Sequence, residues 1–465
     1  MDLKSLFRRK KISDLTAEQA EGPQLHRVLG VRDLTFLGVA AIVGAGIFST
    51  IGRAAYQGGP AVSLLFILVA TACIFTALCY AQFASMIPIS GSAYTYTYAS
   101  LGEIFAWIIG WALLLEYAVS NMVVAISWSE YFTTMLSGFG IYWPAWLEID
   151  YGSAKDAYNQ VQTSVLGDHI PDAIAKAAHT YSTAPEFLGI KILFDLPAGL
   201  VTLFITCVVY IGIKESKNLS NWLVFLKLGV IALVIIAGAF FVKPENWSPF
   251  VPNGFGGVMG GVAAVFFAFI GFDSISTTAE ESKNPQRDLP RAMIYCLIIC
   301  TVLYVVLSLV LTGMVNYKEL RVDDPLAYVF DKVDMNFIAG IISVSAVISI
   351  TSTLLVYQIG QPRIWMSMSR DGLLGSKFSK INKKYKTPGF ATILTGIIVG
   401  IPAMFLDMQF VVDLTSVGTF FAFILVCSGT LYLDHTGETK KAKFKIPYIN
   451  SQYIIGIAFC IGLYL

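Results

Sequence analysis

Charged residues are scarce in this sequence. Asp, Glu, Lys and Arg make up 14% of its 465 residues, whereas a soluble domain carries roughly 25%. Hydrophobic residues make up 56%, which is more than one soluble core can hide. The two signs of charge nearly cancel, and no soluble basic domain is present, so the composition argues against nucleic-acid binding. The next question is whether the apolar residues form runs of about 20, the length that crosses a bilayer as a helix.

Histidine and cysteine are also few, with four and seven residues respectively. The histidines are scattered without the spacing of metal ligands. Every cysteine lies in an apolar run, where a free thiol behaves as a small hydrophobe. We therefore expect no metal site, no disulfide and no cofactor. The sequence has no GxSxG elbow or phosphate-binding loop, so an enzyme is not expected.

Eleven apolar runs are long enough to be considered membrane spans. Spans 1 to 11 are predicted at 34–56, 61–87, 104–136, 198–213, 221–242, 257–279, 292–315, 336–369, 389–406, 410–433 and 449–465. With the N-terminus inside the cell, the predicted inner segments hold most of the Lys and Arg, as cytoplasmic loops usually do. The sequence thus predicts a multi-pass protein of the cell membrane with a cytoplasmic N-terminal tail, residues 1–33.

Two segments between the spans carry further expectations. Residues 139–196 form a long external loop, in which a helix such as 171–179 is predicted. Tyr94, Tyr96 and Tyr98 alternate along the segment between spans 2 and 3. Aromatic residues are common at membrane interfaces, so these three are predicted to be interface anchors.

Two of the spans are interrupted by glycine. Span 1 reads GVAAIVGAGIFSTIG, with Gly44 and Gly46 in its middle, and span 6 reads VFFAFIGFDSIS, with Gly271 and Asp273 in its middle. The two lie five spans apart, and an odd number of spans in each repeat inverts the second repeat in the membrane. Interrupted spans at matching positions of two halves indicate a transporter binding site. The alternative for Gly44 and Gly46 is close packing of helices.

Several motifs resemble a known family. They are GAGIF at 44–48, PISGSAYTYTYASLGE at 88–103, GWALLLEY at 110–117, FFAFIGFDSISTTAEESKNPQRDLPRA at 266–292 and GQPRIWMSMSRDGLL at 360–374. Over roughly residues 25 to 433 the chain resembles the amino acid–polyamine–organocation superfamily. The most similar branch is the cationic-amino-acid-transporter type of permease, including its bacterial members.

The resemblance implies an all-α membrane protein with a LeuT-like fold. Two inverted five-helix repeats, about 34–242 and 257–433, would form a ten-helix core at 34–433 in which helices 1 and 6 are broken. Residues 434–465 would add a cytoplasmic loop and span 11 as a further C-terminal helix. Members of the family usually have at least twelve spans, so either the protein stops at this point or the chain is cut short.

The broken spans would suit the chemistry of an amino acid. Both charges of this zwitterion must find new partners when it leaves water. Free N–H groups of span 1 could hold the carboxylate, and free carbonyls of span 6 could hold the ammonium. The predicted binding residues are Ile42, Val43, Gly44, Ala45, Gly46 and Ile47 of span 1, and Phe267, Ala268, Phe269, Ile270 and Gly271 of span 6. Many relatives have Ser or Thr in place of Ala45, so carboxylate binding here would depend on the backbone.

Lys227 lies within span 5, roughly 12 Å from its inner end along the helix axis. An ionisable residue at such depth is by default a functional hypothesis. In sodium-coupled relatives a cation lies between spans 1 and 8, and proton-coupled members of the family place a lysine amine there. The resemblance therefore implies that Lys227 contacts the backbone near Gly44 and couples transport to the proton. The alternative is a snorkelling lysine or a fixed structural pair.

Two carboxylates and one isoleucine bear on selectivity. Glu116 in span 3 and Asp273 in span 6 would be costly in lipid. They are predicted to shape the side-chain end of the pocket and to favour cationic substrates, unless they serve only as structural hydrogen-bond partners. Ile350 in span 8 is predicted to face the same pocket and to favour smaller or neutral substrates. Because these signals conflict, we expect broad selectivity.

Glu281, Arg287 and Arg363 are predicted to form an inner gate, and the alternative is ordinary solvated loop charge. The sequence thus predicts a secondary active transporter that moves neutral or cationic L-amino acids together with protons by alternating access. An exchanger of amino acids or polyamines on the same fold, and a sensor that binds without transporting, remain as alternatives. The expected partners are the amino acid and the bilayer, and the sequence leaves open a small membrane partner or an oligomer.

Overall fold

The structure, a computed structural model, describes residues 8–9, 29–87, 92–163, 172–211, 217–322, 324–382, 384–385 and 387–446. Six helical stretches of these residues are long and apolar enough to cross a membrane, and three more apolar helices are shorter. The prediction of a multi-pass helical membrane protein is therefore confirmed. Span 11 and most of the N-terminal tail lie outside the described residues.

Each of the first ten predicted spans corresponds to helix in the structure. Spans 2 to 5 are Val62–Met86, Glu103–Gly138, Leu196–Ile211 and Lys217–Ala239, and spans 7 to 10 are Pro285–Met314, Asn336–Arg370, Gly389–Phe405 and Met408–His435. Span 1 is divided into Val31–Ile42, a π-helical turn Gly46–Thr50 and Ile51–Gly58. Span 6 is divided into Gly254–Gly260, Val262–Phe267 and a 3₁₀ helix Phe272–Glu281.

The long helices pack in a few extensive pairs. Span 2 lies along span 7, span 3 lies along spans 8 and 10, and span 4 lies along span 9. At one end of the bundle, Leu29 forms a parallel bridge with Ser282, and the N–H of Lys283 donates to the carbonyl of Leu29 at 2.9 Å. This bridge joins the start of span 1 to the end of span 6, so the two broken spans are neighbours.

The loop between spans 3 and 4 folds as a small unit of its own. It contains helices Tyr151–Thr163 and Asp172–Thr183 and a hairpin of Glu186–Phe187 with Ile190–Lys191. A minor apolar cluster around Ala154 and Leu193 holds it together. The second helix covers residues 172–179 of the predicted 171–179, whereas the first was not predicted.

The expectation for Tyr94, Tyr96 and Tyr98 is wrong. All three are almost fully buried, on a short helix, Ser92–Ser100, that packs against spans 3 and 10. The ring of Tyr96 stacks on that of Phe83 at 5.0 Å between centroids. These tyrosines therefore fill the interior of the bundle, and do not anchor it at the interface.

Candidate functional site

The break in span 1 follows directly from its glycine-rich sequence. The first helix ends at Ile42, and Val43 takes an extended conformation. The N–H groups of Ile47 and Phe48 both donate to the carbonyl of Gly44, at 3.1 and 3.2 Å. Among the described residues, the N–H groups of Gly44 and Ala45 donate to no backbone carbonyl. Fewer N–H donors are therefore available in this break than the predicted stretch 43–47 contains.

The break in span 6 leaves carbonyls in place of N–H groups. Its helix ends at Phe267, and the next N–H groups bond back to Ala264, Phe266 and Phe267. The following helix starts with a bond to the carbonyl of Gly271. The carbonyls of residues 268 to 270 lie between these acceptors in the chain, and none of these N–H groups donates to them. This is the chemical complement of the free N–H groups in span 1.

The two breaks lie against each other. A Cβ atom on Gly46 would lie 2.4 Å from the Cα of Ala268. Gly271 has a φ of +114°, and a Cβ there would lie 3.0 Å from the carbonyl oxygen of Ala41. A side chain at either glycine would therefore collide with the other span, because a heavy atom needs about 3.5–4.0 Å to its neighbour. Glycine is needed at both positions for this approach.

Lys227 connects span 5 to the break in span 1. Its side chain is fully buried, and its Nζ donates to the carbonyls of Ala40 and Val43 at 3.0 Å each and to the hydroxyl of Thr353 at 2.8 Å. An ammonium has three N–H donors, so all of them have partners. The side chain points away from lipid and lies where spans 1, 5 and 8 meet, so it does not snorkel.

Glu116 and Asp273 are both buried, at 3% and 4% exposure. Their carboxyl groups are close enough to interact electrostatically, and the hydroxyl of Thr419 in span 10 lies near Glu116. The rings of Tyr117 and Tyr357 lie in the field of both carboxyls. Residues of spans 3, 6, 8 and 10 thus contribute to a buried polar cluster.

The other predicted binding residues are all interior. Ile350 is fully buried in span 8, one turn before Thr353. The remaining ones are buried in the two breaks: Ile42, Val43, Ala45 and Ile47 in span 1, and Phe267, Ala268, Phe269 and Ile270 in span 6. The structure therefore brings the two backbone segments together, with Lys227 on one side of the break in span 1.

Of the predicted inner-gate residues, the structure describes the side chains of the two arginines, Arg287 and Arg363. The Nε of Arg287 donates to the carboxylate of its neighbour Asp288 at 3.0 Å. Arg363 is exposed on span 8 and forms no ion pair with a described side chain. The side chain of Glu281 lies outside what the structure describes, so the gate stays a prediction. The backbone bridge between Leu29 and Ser282 is the contact observed at this end.

Three hydroxyl groups near the breaks were not predicted. The hydroxyl of Tyr304 donates to the carbonyl of Ile42 at 3.2 Å, and that of Thr50 donates to the carbonyls of Gly46 and Ala264 at 2.7 and 3.1 Å. Thr353 is the third. Each hydroxyl forms a hydrogen bond with a backbone carbonyl or with the ammonium of Lys227, close to where the helical hydrogen bonds are lost. Their position inside apolar spans was the available signal, but hydroxyls are too frequent in such spans for it to be specific.

Comparison with known proteins is consistent with this architecture. The family model for amino acid permeases matches residues 29–465. The branched-chain amino acid permease BcaP of Bacillus subtilis is 40% identical over 462 residues, which is 99% of this chain and 92% of the relative. The methylthioribose transporter of the same organism is 40% identical over 460 residues, with the same coverage. A vacuolar cationic amino acid transporter 2 of Arabidopsis thaliana is 35% identical over 99% of this chain and 67% of the relative.

Proposed function

Because this chain belongs to the amino acid permease family, we propose that it transports amino acids across the cell membrane together with protons. The ten spans would form two inverted five-helix repeats of the LeuT-like type, with the N-terminus in the cytoplasm. The substrate would bind between the broken spans 1 and 6, near the middle of the bilayer. Irregular backbone at this depth is expected only where it lines a cavity or is buried in protein.

The observation that carries this proposal is the set of partners of Lys227. Its ammonium bonds to two carbonyls at the end of the first helix of span 1, those of Ala40 and Val43, and to Thr353 of span 8. The next residues, Gly44 and Ala45, hold the N–H groups that would bind the substrate carboxylate. A single side chain thus acts on the backbone that would hold the substrate.

This arrangement offers a physical route for coupling. The protonated amine has three donors and holds all three partners, whereas a neutral amine has two. Loss of the proton would therefore release one oxygen, and a buried carbonyl without a partner is unfavourable by about 1–3 kcal/mol. The backbone at 43–45 would then move, and its affinity for the carboxylate would change. Proton binding and substrate binding would be linked through the same few atoms.

For the substrate we propose neutral and cationic L-amino acids. The buried side chain of Ile350 would give the pocket an apolar wall that suits aliphatic side chains, in keeping with a branched-chain amino acid permease among the relatives. The buried carboxyls of Glu116 and Asp273 would stabilise a cationic side chain, in keeping with cationic amino acid transporters among them. Glu281, Arg287 and Arg363 remain the candidates for an inner gate.

Uptake into proteoliposomes tests the proposal. The purified protein is reconstituted, and the uptake of labelled alanine, leucine, lysine and arginine is measured with and without an inward proton gradient. Methylthioribose is included because a 40% identical relative is named for it. We expect accumulation of at least one amino acid that collapses when the gradient is dissipated. If none of the amino acids is bound or transported, the substrate class is wrong.

The variant Lys227→Ala separates coupling from binding. It should lose gradient-driven accumulation, while exchange between labelled substrate outside and unlabelled substrate inside is retained or reduced less. Lys243→Ala, at an exposed lysine, is the control and should behave as the unaltered protein. Gradient-driven uptake that is unchanged in Lys227→Ala contradicts proton coupling through this residue. Uptake that requires preloaded substrate in the unaltered protein points to an exchanger, and binding without any uptake points to a sensor.

A further inference from the structure

An apolar groove lies on the outer surface of the bundle, between spans 4 and 9. Its volume is about 490 Å³, within the range of small-molecule sites, about 300–1,000 Å³. Leu203 and Ile211 of span 4 and Ile397 and Ile401 of span 9 line it, and each is about half exposed. Large apolar side chains exposed on a membrane-spanning helix face hydrocarbon. The groove therefore opens toward the lipid, away from the breaks in spans 1 and 6.

Glycines on span 9 create the depth of the groove. Gly396 and Gly400 leave its wall without side chains at two positions one turn apart. A Cβ on Gly396 would lie 2.5 Å from the hydroxyl oxygen of Thr206, so spans 4 and 9 touch at the bottom of the groove. The large side chains on either side, among them Leu203 and Ile397, project outward from the contact between spans 4 and 9.

The hydroxyl on the floor of the groove, that of Thr206, is engaged with other groups of the protein. The hydroxyl of Thr206 donates to the carbonyl of Thr202 at 2.7 Å and accepts from the amide of Gln358 at 2.8 Å. Its one O–H donor and one of its two acceptor lone pairs are therefore already used. The lining is otherwise aliphatic apart from Cys207 and Tyr210. An occupant that fits is apolar along its length, as an acyl chain is.

One end of the groove meets a cluster of positive charge. The ring of Tyr210, which lines this end, lies 5.6 Å from the ring of Tyr385, and the ammonium of Lys384 lies 5.0 Å from the ring of Tyr385. Lys384 belongs to the segment 377–386, which contains five Lys and no Asp or Glu. The side chains of Lys377, Lys380 and Lys384 are exposed. A negative group placed at this end of the groove would meet the ammonium of Lys384 and no competing carboxylate from the same segment.

From this juxtaposition we propose that the groove binds a phospholipid with an anionic headgroup. An acyl chain lies along spans 4 and 9, and the phosphate lies beside Lys384, at the end of the basic segment that also contains Lys380. A membrane helix of another protein would fill the groove equally well, but it would not account for the basic segment at one end. Clusters of lysine next to a span are typical of contact with anionic lipid.

The bound lipid would also be connected to the interior of the transporter through hydrogen bonds. Thr206 on the groove floor is bonded to Gln358 of span 8, whose side-chain oxygen accepts from Asn121 of span 3 at 2.5 Å. Thr353, the partner of Lys227, lies on the same helix as Gln358. A lipid that holds spans 4 and 9 together thus stabilises the position of span 8, so lipid composition should affect the transport rate.

Native mass spectrometry of the purified transporter tests the proposal. Phosphatidylglycerol and phosphatidylcholine with identical acyl chains are added separately, and the bound lipid is counted. We expect preferential retention of phosphatidylglycerol. Each lysine near an anionic headgroup strengthens attraction by about fivefold, so Lys380→Gln with Lys384→Gln should lose most of this preference. The matched control is Lys243→Gln with Lys318→Gln, two exposed lysines elsewhere, and it should retain the preference.

A second variant tests the groove itself. Ile397→Trp fills the groove from its exposed wall and should reduce retention of both lipids. Ile298→Trp, an equally exposed position on span 7, is the control and should leave retention unchanged. Equal retention of the two lipids by the unaltered protein, or unchanged retention in Ile397→Trp, would overturn the proposal. So would a co-purifying single-span protein that Ile397→Trp displaces, since the groove would then be a protein interface.

Discussion

The hydroxyl of Thr353 is the part of the Lys227 site that can be removed with the least disturbance. Thr353→Val keeps the branched shape and replaces the hydroxyl with a methyl group, which removes the acceptor that lies 2.8 Å from Nζ. Lys227 is fully buried and Thr353 is 2% exposed, so the surroundings offer no ready route for water to take its place. The substitution leaves one donor of a charged group without a partner. Hydrogen bonds to charged groups contribute about 1.5–3 kcal/mol, and we expect a loss of stability of that order.

A double-mutant cycle with Lys227→Met isolates this bond. The free energy of unfolding is measured in mixed micelles for the unaltered protein, the two single variants and the double variant. Thr353→Val should be destabilising when Lys227 is present and nearly neutral when methionine replaces it. Raising the pH until the amine loses its proton should shrink the effect, because a neutral amine needs fewer acceptors. Single-variant effects that add to within about 0.5 kcal/mol would refute the assigned contact.

Two further predictions concern other parts of the chain. Gly46→Ala places a Cβ 2.4 Å from the Cα of Ala268. The overpacking should lower the free energy of unfolding by about 1–3 kcal/mol and abolish uptake. The control is Gly340→Ala, which has nothing within 4 Å of the new Cβ and should leave the free energy of unfolding unchanged or raise it. Burial raises the pKa of Asp150 in the loop between spans 3 and 4, so the folded state binds more protons than the unfolded one above pH ~4. Stability should therefore fall as the pH rises from that value toward the raised pKa; Asp150→Asn should flatten this slope in thermal unfolding, and Asp156→Asn, at an exposed position of the adjacent helix, should not.

The spans were predictable because their ends are determined locally. Span 8 was predicted at 336–369 and is Asn336–Arg370, since polar and basic residues bound a long apolar run. Span 10 starts two residues earlier than predicted, at Met408, because the carboxylate of Asp407 accepts a hydrogen bond from the N–H of Phe410 at 2.9 Å and caps the helix. Apolar runs and helix caps involve residues that are close together in the chain, so they can be recognised from the sequence.

The partners of buried polar groups were much harder to predict. The resemblance placed Lys227 against the backbone near Gly44, but Thr353 lies 126 residues further along the chain, and nothing in either segment identifies the other. Tyr94, Tyr96 and Tyr98 were misjudged for a related reason. Their alternation is a local pattern along the chain. Their burial depends on tertiary packing, because they lie on a short helix that packs against spans 3 and 10.

The glycines of span 1 illustrate how two competing interpretations can describe one geometry. Gly44 and Gly46 were open to interpretation either as helix-packing positions or as the source of a break. In the structure they pack closely and also interrupt the helix, because the same lack of a side chain allows both. A Cβ on Gly44 would lie 3.0 Å from a methyl carbon of Thr353, and Thr353 is the residue that accepts from Lys227. A substitution at Gly44 would thus act first on the lysine and its partners, so a loss of uptake in such a variant is not by itself evidence that the glycine contacts substrate.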